Sequence, residues 1–262
     1  AIVPAIMTRA LITGASAGLG SEFARQLAAR GKDLVLVARR AGPMEQLAAS
    51  LREAHGVEVD VLTADMSAPG APAELLTETE RRGFAVDFLV NNAGSEGPDL
   101  IRTRDWSRQD AYIRLMMTSV AAMCHEFMPA MIEHGYGRVL NVASVAGRMT
   151  VSGDYSYGPT KAYLIALSKA LSSAYRSQGI HVTALCPGFT HTDFHASDKL
   201  SGMKRSTPGF IWYDADVVVR EGLEALEKGK DEYTSGRLYR FLVPVLRQRW
   251  TRGLLSAFGV KL

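Results

Sequence analysis

The chain has 262 residues, of which 47% are apolar and 22% charged, a mix that can bury a large core and is unlike a disordered or fibrous chain. Its formal net charge of +3, with no dense block of Lys or Arg, gives no footing for a nucleic-acid partner. No apolar run approaches the roughly 20 residues that cross a bilayer. Cys124 and Cys186 lack metal-ligand spacing, so they are expected to be reduced thiols of a cytoplasmic protein.

The opening "AIVPAI" has no basic start and too short an apolar run for a signal peptide, and Met7 is the expected natural start. "RALITG" then reads as a buried strand, and Leu19 to Arg30 as a helix. The turn between them, "TGASAGLG" from Thr13 to Gly20, has the pattern of a phosphate cradle. Gly14 would permit the tight turn, Gly18 would let backbone approach a pyrophosphate, and Gly20 would let the helix pack on the strand. The helix start offers N–H groups and a positive dipole end to the phosphates.

The second strand ends "LVLVARR". Ala38 brings no carboxylate for an adenosine ribose, whereas Arg39 and Arg40 can pair with a 2′-phosphate. NADP(H) is therefore favoured over NAD(H), with a solvated arginine pair as the plainer alternative. The third strand, "VEVDVLTA", leads to Asp65, which suits either an adenine amino group or a turn cap. The fourth, "DFLVNN", runs into "NNAG", Asn91 to Gly94, whose amides can tie strands together.

From Asp105 to His134 comes a helical stretch apolar on more than one face, with Leu115, Met116, Met117, Val120, Met123, Phe127, Met128 and Met131. The sheet would cover one side. A second subunit is the preferred cover for the other, which makes a homodimer or homotetramer the expected state. "GRVLNVA" and "IHVTALCPG" complete the strands. Strands alternating with helices imply a single α/β domain over residues 1–262, a Rossmann-type doubly wound parallel sheet with helices on both faces.

Taken in order, TGxxxGxG, NNAG, a serine at 144, Tyr157-Gly158-Pro159-Thr160-Lys161 as YxxxK, and Pro187-Gly188 make the chain resemble the short-chain dehydrogenase/reductase family, from Thr8 to about Gly236. The resemblance implies cofactor contacts at Gly14, Ser16, Gly18, Leu19, Gly20, Arg39, Asp65, Asn91 and Gly94. It adds Pro187, Gly188, Phe189 and Thr192 beside the nicotinamide, and the catalytic set Ser144, Tyr157 and Lys161. Tyr157 and Lys161 lie four apart on one helix face. The ammonium is expected to lower the phenol from its ordinary value of about 10. Tyr157 would exchange a proton with the substrate oxygen, Ser144 would orient that oxygen, and Lys161 would also hold the ribose. The family's asparagine, in the long helix, falls on Met116, a thioether that cannot donate a hydrogen bond. That departure implies a relay through other groups, slow turnover or lost catalysis, with a nucleotide-binding sensor as the alternative function.

Substrate choice is expected to rest on Ser95 to Pro98, Val145 to Tyr155 and a loop of about residues 189–212. Phe194, Met203, Phe210 and Trp212 in that loop point to an apolar or bulky carbonyl or alcohol. Lys199, Lys204 and Arg205 would suit an acidic tail. His191 and His195, four apart with Asp193 between them, lack the Glu of HExxH, and no metal is expected. The last segment, about 237–262, mixes arginines with Leu242, Val243, Leu246, Trp250, Leu254 and Phe258. It reads as a basic amphipathic helix packed on the core or on another subunit, with a peripheral membrane contact as the alternative.

Overall fold

A computed structural model describes residues 7–150, 153–192 and 209–246. Its strands are β1 (Met7–Thr13), β2 (Leu34–Ala38), β3 (Val59–Thr63), β4 (Phe84–Asn91), β5 (Gly137–Val142), β6 (Ile180–Cys186), β7 (Thr190–His191), β8 (Tyr213–Asp214) and β9 (Glu232–Thr234). Seven of them form one sheet in the order β3-β2-β1-β4-β5-β6-β9, parallel throughout, and β7 pairs with β8 apart from it. The helices are α1 (Gly18–Ala28), α2 (Ala41–His55), α3 (Ala71–Arg81), α4 (Trp106–Ile113), α5 (Ser119–Glu133), α6 (Tyr157–Tyr175), α7 (Ala215–Glu227) and α8 (Arg237–Leu246).

Side chains alternate across each strand, so a strand covered on both faces must be apolar at every position. All five residues of β2 are buried. Leu34 and Leu36 join Ile12 of β1 in a layer with Phe23 and Leu27 of α1, Met44 of α2 and Leu223 of α7. Val35 and Val37 join Leu11 on the opposite face, with Leu75 of α3 and Phe127 of α5. This is the doubly wound arrangement that the strand and helix alternation predicts.

The long apolar helix is interrupted. Between α4 and α5, residues Arg114–Thr118 form a π turn, with Met116 1% exposed at its centre. By length and composition Trp106–Glu133 could cross a membrane, although it holds no unbroken apolar run of that length. It is a core helix instead. Met116, Val120, Met123, Phe127, Met128 and Met131 are buried by the chain itself, and Leu115 and Met117 are half-buried. The sheet covers one side of α5, and α3 and α6 cover others. The chain itself thus covers much of the helix for which a second subunit was the expected cover.

The two outermost strands are short and carry ion-paired carboxylates. Asp60 on β3 is paired with Arg9 and, at 2.7 Å, with Arg82. Glu232 on β9 meets Arg148 at 2.7 Å and Lys169 at 3.3 Å.

Candidate active site

The chain winds one way from β1 through β2 to β3, and the other way from β4 through β5 and β6. Between β1 and β4 the direction reverses, and the crevice beyond their carboxyl ends is where such sheets hold ligands. The glycine turn and NNAG meet there. Gly14 has φ +68°, and a Cβ on it would stand 2.8 Å from Asn92 Nδ2. A Cβ at Gly20 would come to 2.1 Å from the Gly14 carbonyl oxygen, so only hydrogen lets α1 start against the turn. Gly18, at φ +56°, faces Thr192, which brings the segment after β6 to the start of α1. The N-cap of α1 is Ala17, and no side chain caps this helix start. Its dipole end and first N–H groups suit an anion. Ser16, Gly18, Ser21, Arg25, Gln46 and Ser50 line a hollow of about 410 Å³ beside it.

Three strand and helix ends assemble the Ser–Tyr–Lys set. Ser144 follows β5 and caps the short 3₁₀ turn Val145–Arg148, its Oγ accepting from Ala146 N–H at 3.1 Å. Tyr157 opens α6, where Asp154 Oδ2 accepts from Gly158 N–H at 2.8 Å and fixes the start of the helix. Lys161, one turn on, is 5% exposed. Its Nζ donates to the Val142 carbonyl at 2.7 Å and lies 5.6 Å from the Tyr157 ring centroid. Ser144 and the Tyr157 hydroxyl share a hydrogen bond.

The ionisation of this set corrects one expectation. Burial pushes the Tyr157 phenol up to about 12, with the Ser144 hydrogen bond pulling weakly the other way. Burial also brings Lys161 down to about 8. The ammonium is where the helix spacing puts it, and burial is the largest influence on the phenol. Burial thus favours the un-ionised phenol beside the amine.

Other expected residues divide. Asn91 is 3% exposed and its amide donates to Asn141 Oδ1 at 2.8 Å, so its side chain ties β4 to β5. Asp65 caps its turn, its Oδ1 accepting from Ser67 N–H at 2.9 Å and Ser67 Oγ at 2.7 Å. These bonds, helped by Arg39, hold its carboxyl below the usual range. Arg39 and Arg40 are exposed at the end of β2, and Leu19 packs on the core. Gly94 lies against Met116, and a Cβ there would stand 3.3 Å from Sδ. Met116 Sδ also accepts from Ser95 N–H at 3.5 Å. Thr118 is exposed and takes no part. Phe189 and His191 both stack on Trp212, at 5.1 and 5.3 Å. Phe194, His195, Lys199, Met203, Lys204 and Arg205 lie outside the described residues, as do Trp250, Leu254 and Phe258. Cys186 is fully buried, consistent with an inert small residue.

The NNAG amides tie strands together as expected, whereas Tyr112 and Tyr239 carry no local sequence signal. Asn92 Nδ2 donates to the Thr13 carbonyl at 3.0 Å, and Thr13 Oγ1 accepts from Asn92 and Ala93 N–H at 3.0 and 3.1 Å. Those bonds clamp NNAG to the glycine turn. Tyr112 is buried among Gly97 and Ser156, close enough to Tyr157 to disfavour its phenolate. Tyr239 of α8 packs on Gly188.

Fold and site together define a dinucleotide-type α/β protein with a Ser–Tyr–Lys cluster at its switch point. The family model for short chain dehydrogenases matches residues 8–201, and the chain belongs to this family of oxidoreductases. It is 29% identical over 218 residues to a 7β-hydroxysteroid dehydrogenase of Collinsella aerofaciens, covering 83% of this chain and 82% of that one. A bulky-bulky ketone specific alcohol dehydrogenase from Comamonas testosteroni superposes with a TM-score of 0.75 at 28% identity, covering 96% and 94% of the chains. A short-chain dehydrogenase from Sphingobium yanoikuyae, solved with NADPH, gives a TM-score of 0.75 at 28% identity over 96% of each.

Proposed function

We propose that this chain is a single-domain, NADP(H)-dependent oxidoreductase that interconverts a carbonyl and a secondary alcohol on an apolar or bulky substrate. The observation that carries this reading is the convergence of Ser144, Tyr157 and Lys161 beside the glycine turn, with the phenol bonded to Ser144 and under the lysine amine. The dinucleotide fits the residues present: the uncapped start of α1, the approach at Gly18 and the two exposed arginines after β2. When bound, it supplies or accepts the hydride.

The chain's own groups do the rest. Ser144 orients the substrate oxygen, and Tyr157 gives it a proton. A phenol held at about 12 is fully protonated at neutral pH, which is the form that serves carbonyl reduction. Lys161, still charged at pH 7, would hold the nicotinamide ribose and supply positive potential as the phenol loses its proton. Arg39 and Arg40 would pair with the 2′-phosphate, the basis for preferring NADP(H). The similarity to a bulky-ketone dehydrogenase and an NADPH-bound neighbour supports the substrate and cofactor classes. A homodimer or homotetramer in the cytoplasm belongs to the same proposal, with sedimentation velocity as its test. So does the membrane alternative for the last segment, which vesicle sedimentation tests.

The decisive experiment follows NADPH absorbance with a panel of bulky and small ketones, alongside a cofactor titration. Oxidation of NADPH by a bulky ketone supports the reading. A second reading, a nucleotide-binding sensor, is favoured by Met116, which falls where the resemblance places the family's asparagine and whose sulfur accepts from Ser95 N–H. Tight NADPH binding without turnover on the whole panel, with turnover gained in Met116→Asn, would favour it.

A further inference from the structure

The C-terminal helix lies beyond the family match, which ends at residue 201, yet it reaches back into the site. Tyr239 lays its ring on Gly188, where a Cβ would stand 2.0 Å from the ring. Its hydroxyl accepts from Phe189 N–H at 3.1 Å and donates to the Ile211 carbonyl at 2.9 Å. One phenol thus uses its donor and its acceptor on two distant backbone groups. A phenylalanine could pack on Gly188 equally well, but it would leave both backbone groups without this partner. The hydroxyl therefore fixes the turn, and packing alone does not require it.

The turn it fixes is joined to the Ser–Tyr–Lys set. The Pro187 carbonyl accepts from Val145 N–H at 3.0 Å, and Val145 follows Ser144. The start of α8 is itself anchored. Glu221 accepts from Gly236 N–H at 2.9 Å and from Arg240 at 3.0 Å, and Tyr213 Oη accepts from Leu238 N–H at 3.2 Å. Phe241, two residues past Tyr239, is 72% exposed. Tyr239 thus turns toward Gly188, while Arg240 reaches Glu221 and Tyr233.

We propose that Tyr239 is a positioning residue of the hydride-transfer site: it holds the Pro187–Gly188–Phe189 turn, the wall expected beside the nicotinamide, in register with Ser144 and Tyr157. This rests on the functional reading above. The C-terminal helix is then part of the catalytic unit rather than an appendage.

Tyr239→Phe tests the hydroxyl while keeping the ring. Amide hydrogen exchange at Phe189, measured without cofactor, should quicken about tenfold, and the NADPH Kd should rise about tenfold, the usual worth of one lost hydrogen bond. The KM for the carbonyl should stay within about twofold and the melting temperature within about 3 °C, as expected when the change is confined to the turn. Glu221→Gln, which loosens the helix start without touching the turn, should move Phe189 exchange and NADPH affinity in the same direction by a smaller factor. Faster Phe189 exchange with unchanged NADPH affinity and kcat would reduce Tyr239 to a packing residue and overturn the proposal alone. A wild-type protein that neither binds nor oxidises NADPH would overturn the functional reading and this proposal with it.

Discussion

Asn141 offers a quantitative test of how the site is held. It is fully buried in β5, directly across from Asn91 of β4 in the ladder. Its Oδ1 accepts from Asn91 Nδ2 at 2.8 Å, and its Nδ2 donates to Ser168 Oγ of α6 at 2.9 Å. Replacing it with leucine, which is similar in shape, removes both bonds without opening a cavity. Asn91 then keeps only the Cys124 sulfur at 3.9 Å, while Ser168 keeps its bond to the Leu164 carbonyl at 2.7 Å. The stranded amide costs about 1–3 kcal/mol and the second bond about 1 kcal/mol, so Asn141→Leu should destabilise by about 2–4 kcal/mol. Adding Asn91→Leu removes the stranded group, and the pair should cost about 1–3 kcal/mol less than the sum of the two single changes. Urea unfolding followed by circular dichroism measures all three. A single change costing under about 1 kcal/mol, or strictly additive changes, would refute the idea that this amide chain joins β4, β5 and α6.

Tyr157→Phe should keep NADPH affinity and lose nearly all turnover, at least about 10²-fold in kcat as expected for a proton donor; single-turnover assays near the wild-type rate would remove Tyr157 from that role. Arg39→Asp should move cofactor preference from NADPH toward NADH by about tenfold or more, read as the ratio of kcat/KM values, and an unchanged ratio would exclude Arg39 from the phosphate site. For pH, Lys161 is charged below about 8 and neutral above it, whereas Tyr157 stays protonated to about 12. The kcat/KM for NADPH should therefore be level through pH 7 and fall above about 8, approaching tenfold per pH unit; a profile level to pH 10 would show that Lys161 is not the titrating group.

The sheet was legible because its inner strands are continuous apolar runs, as parallel strands buried on both faces must be. Three strands escaped. Glu232–Thr234 has three residues and a glutamate, and Thr190–His191 and Tyr213–Asp214 have two residues each, too few for any periodicity to register. Ser144, Tyr157 and Lys161 could be found because their spacing is local to one strand end and one helix. Asn141, Tyr112 and Tyr239 could not, since each acts on a residue distant in sequence. The ionisation of Tyr157 was misjudged for a related reason: i,i+4 spacing reveals the neighbouring charge, whereas the burial that favours the un-ionised phenol comes from the whole fold. The apolar girth of α5 was read correctly, and α3 and α6 of the same chain supply part of its cover.

The ion-paired carboxylates on β3 and β9 bear on behaviour far from the catalytic crevice. Each marginal strand has a hydrogen-bonded neighbour on one side only. Asp60 ties β3 to Arg9 of β1 and to Arg82 after α3, and Glu232 ties β9 to Arg148 after Ser144 and to Lys169 of α6, so charges on the faces of the sheet give its short margins a second fastening.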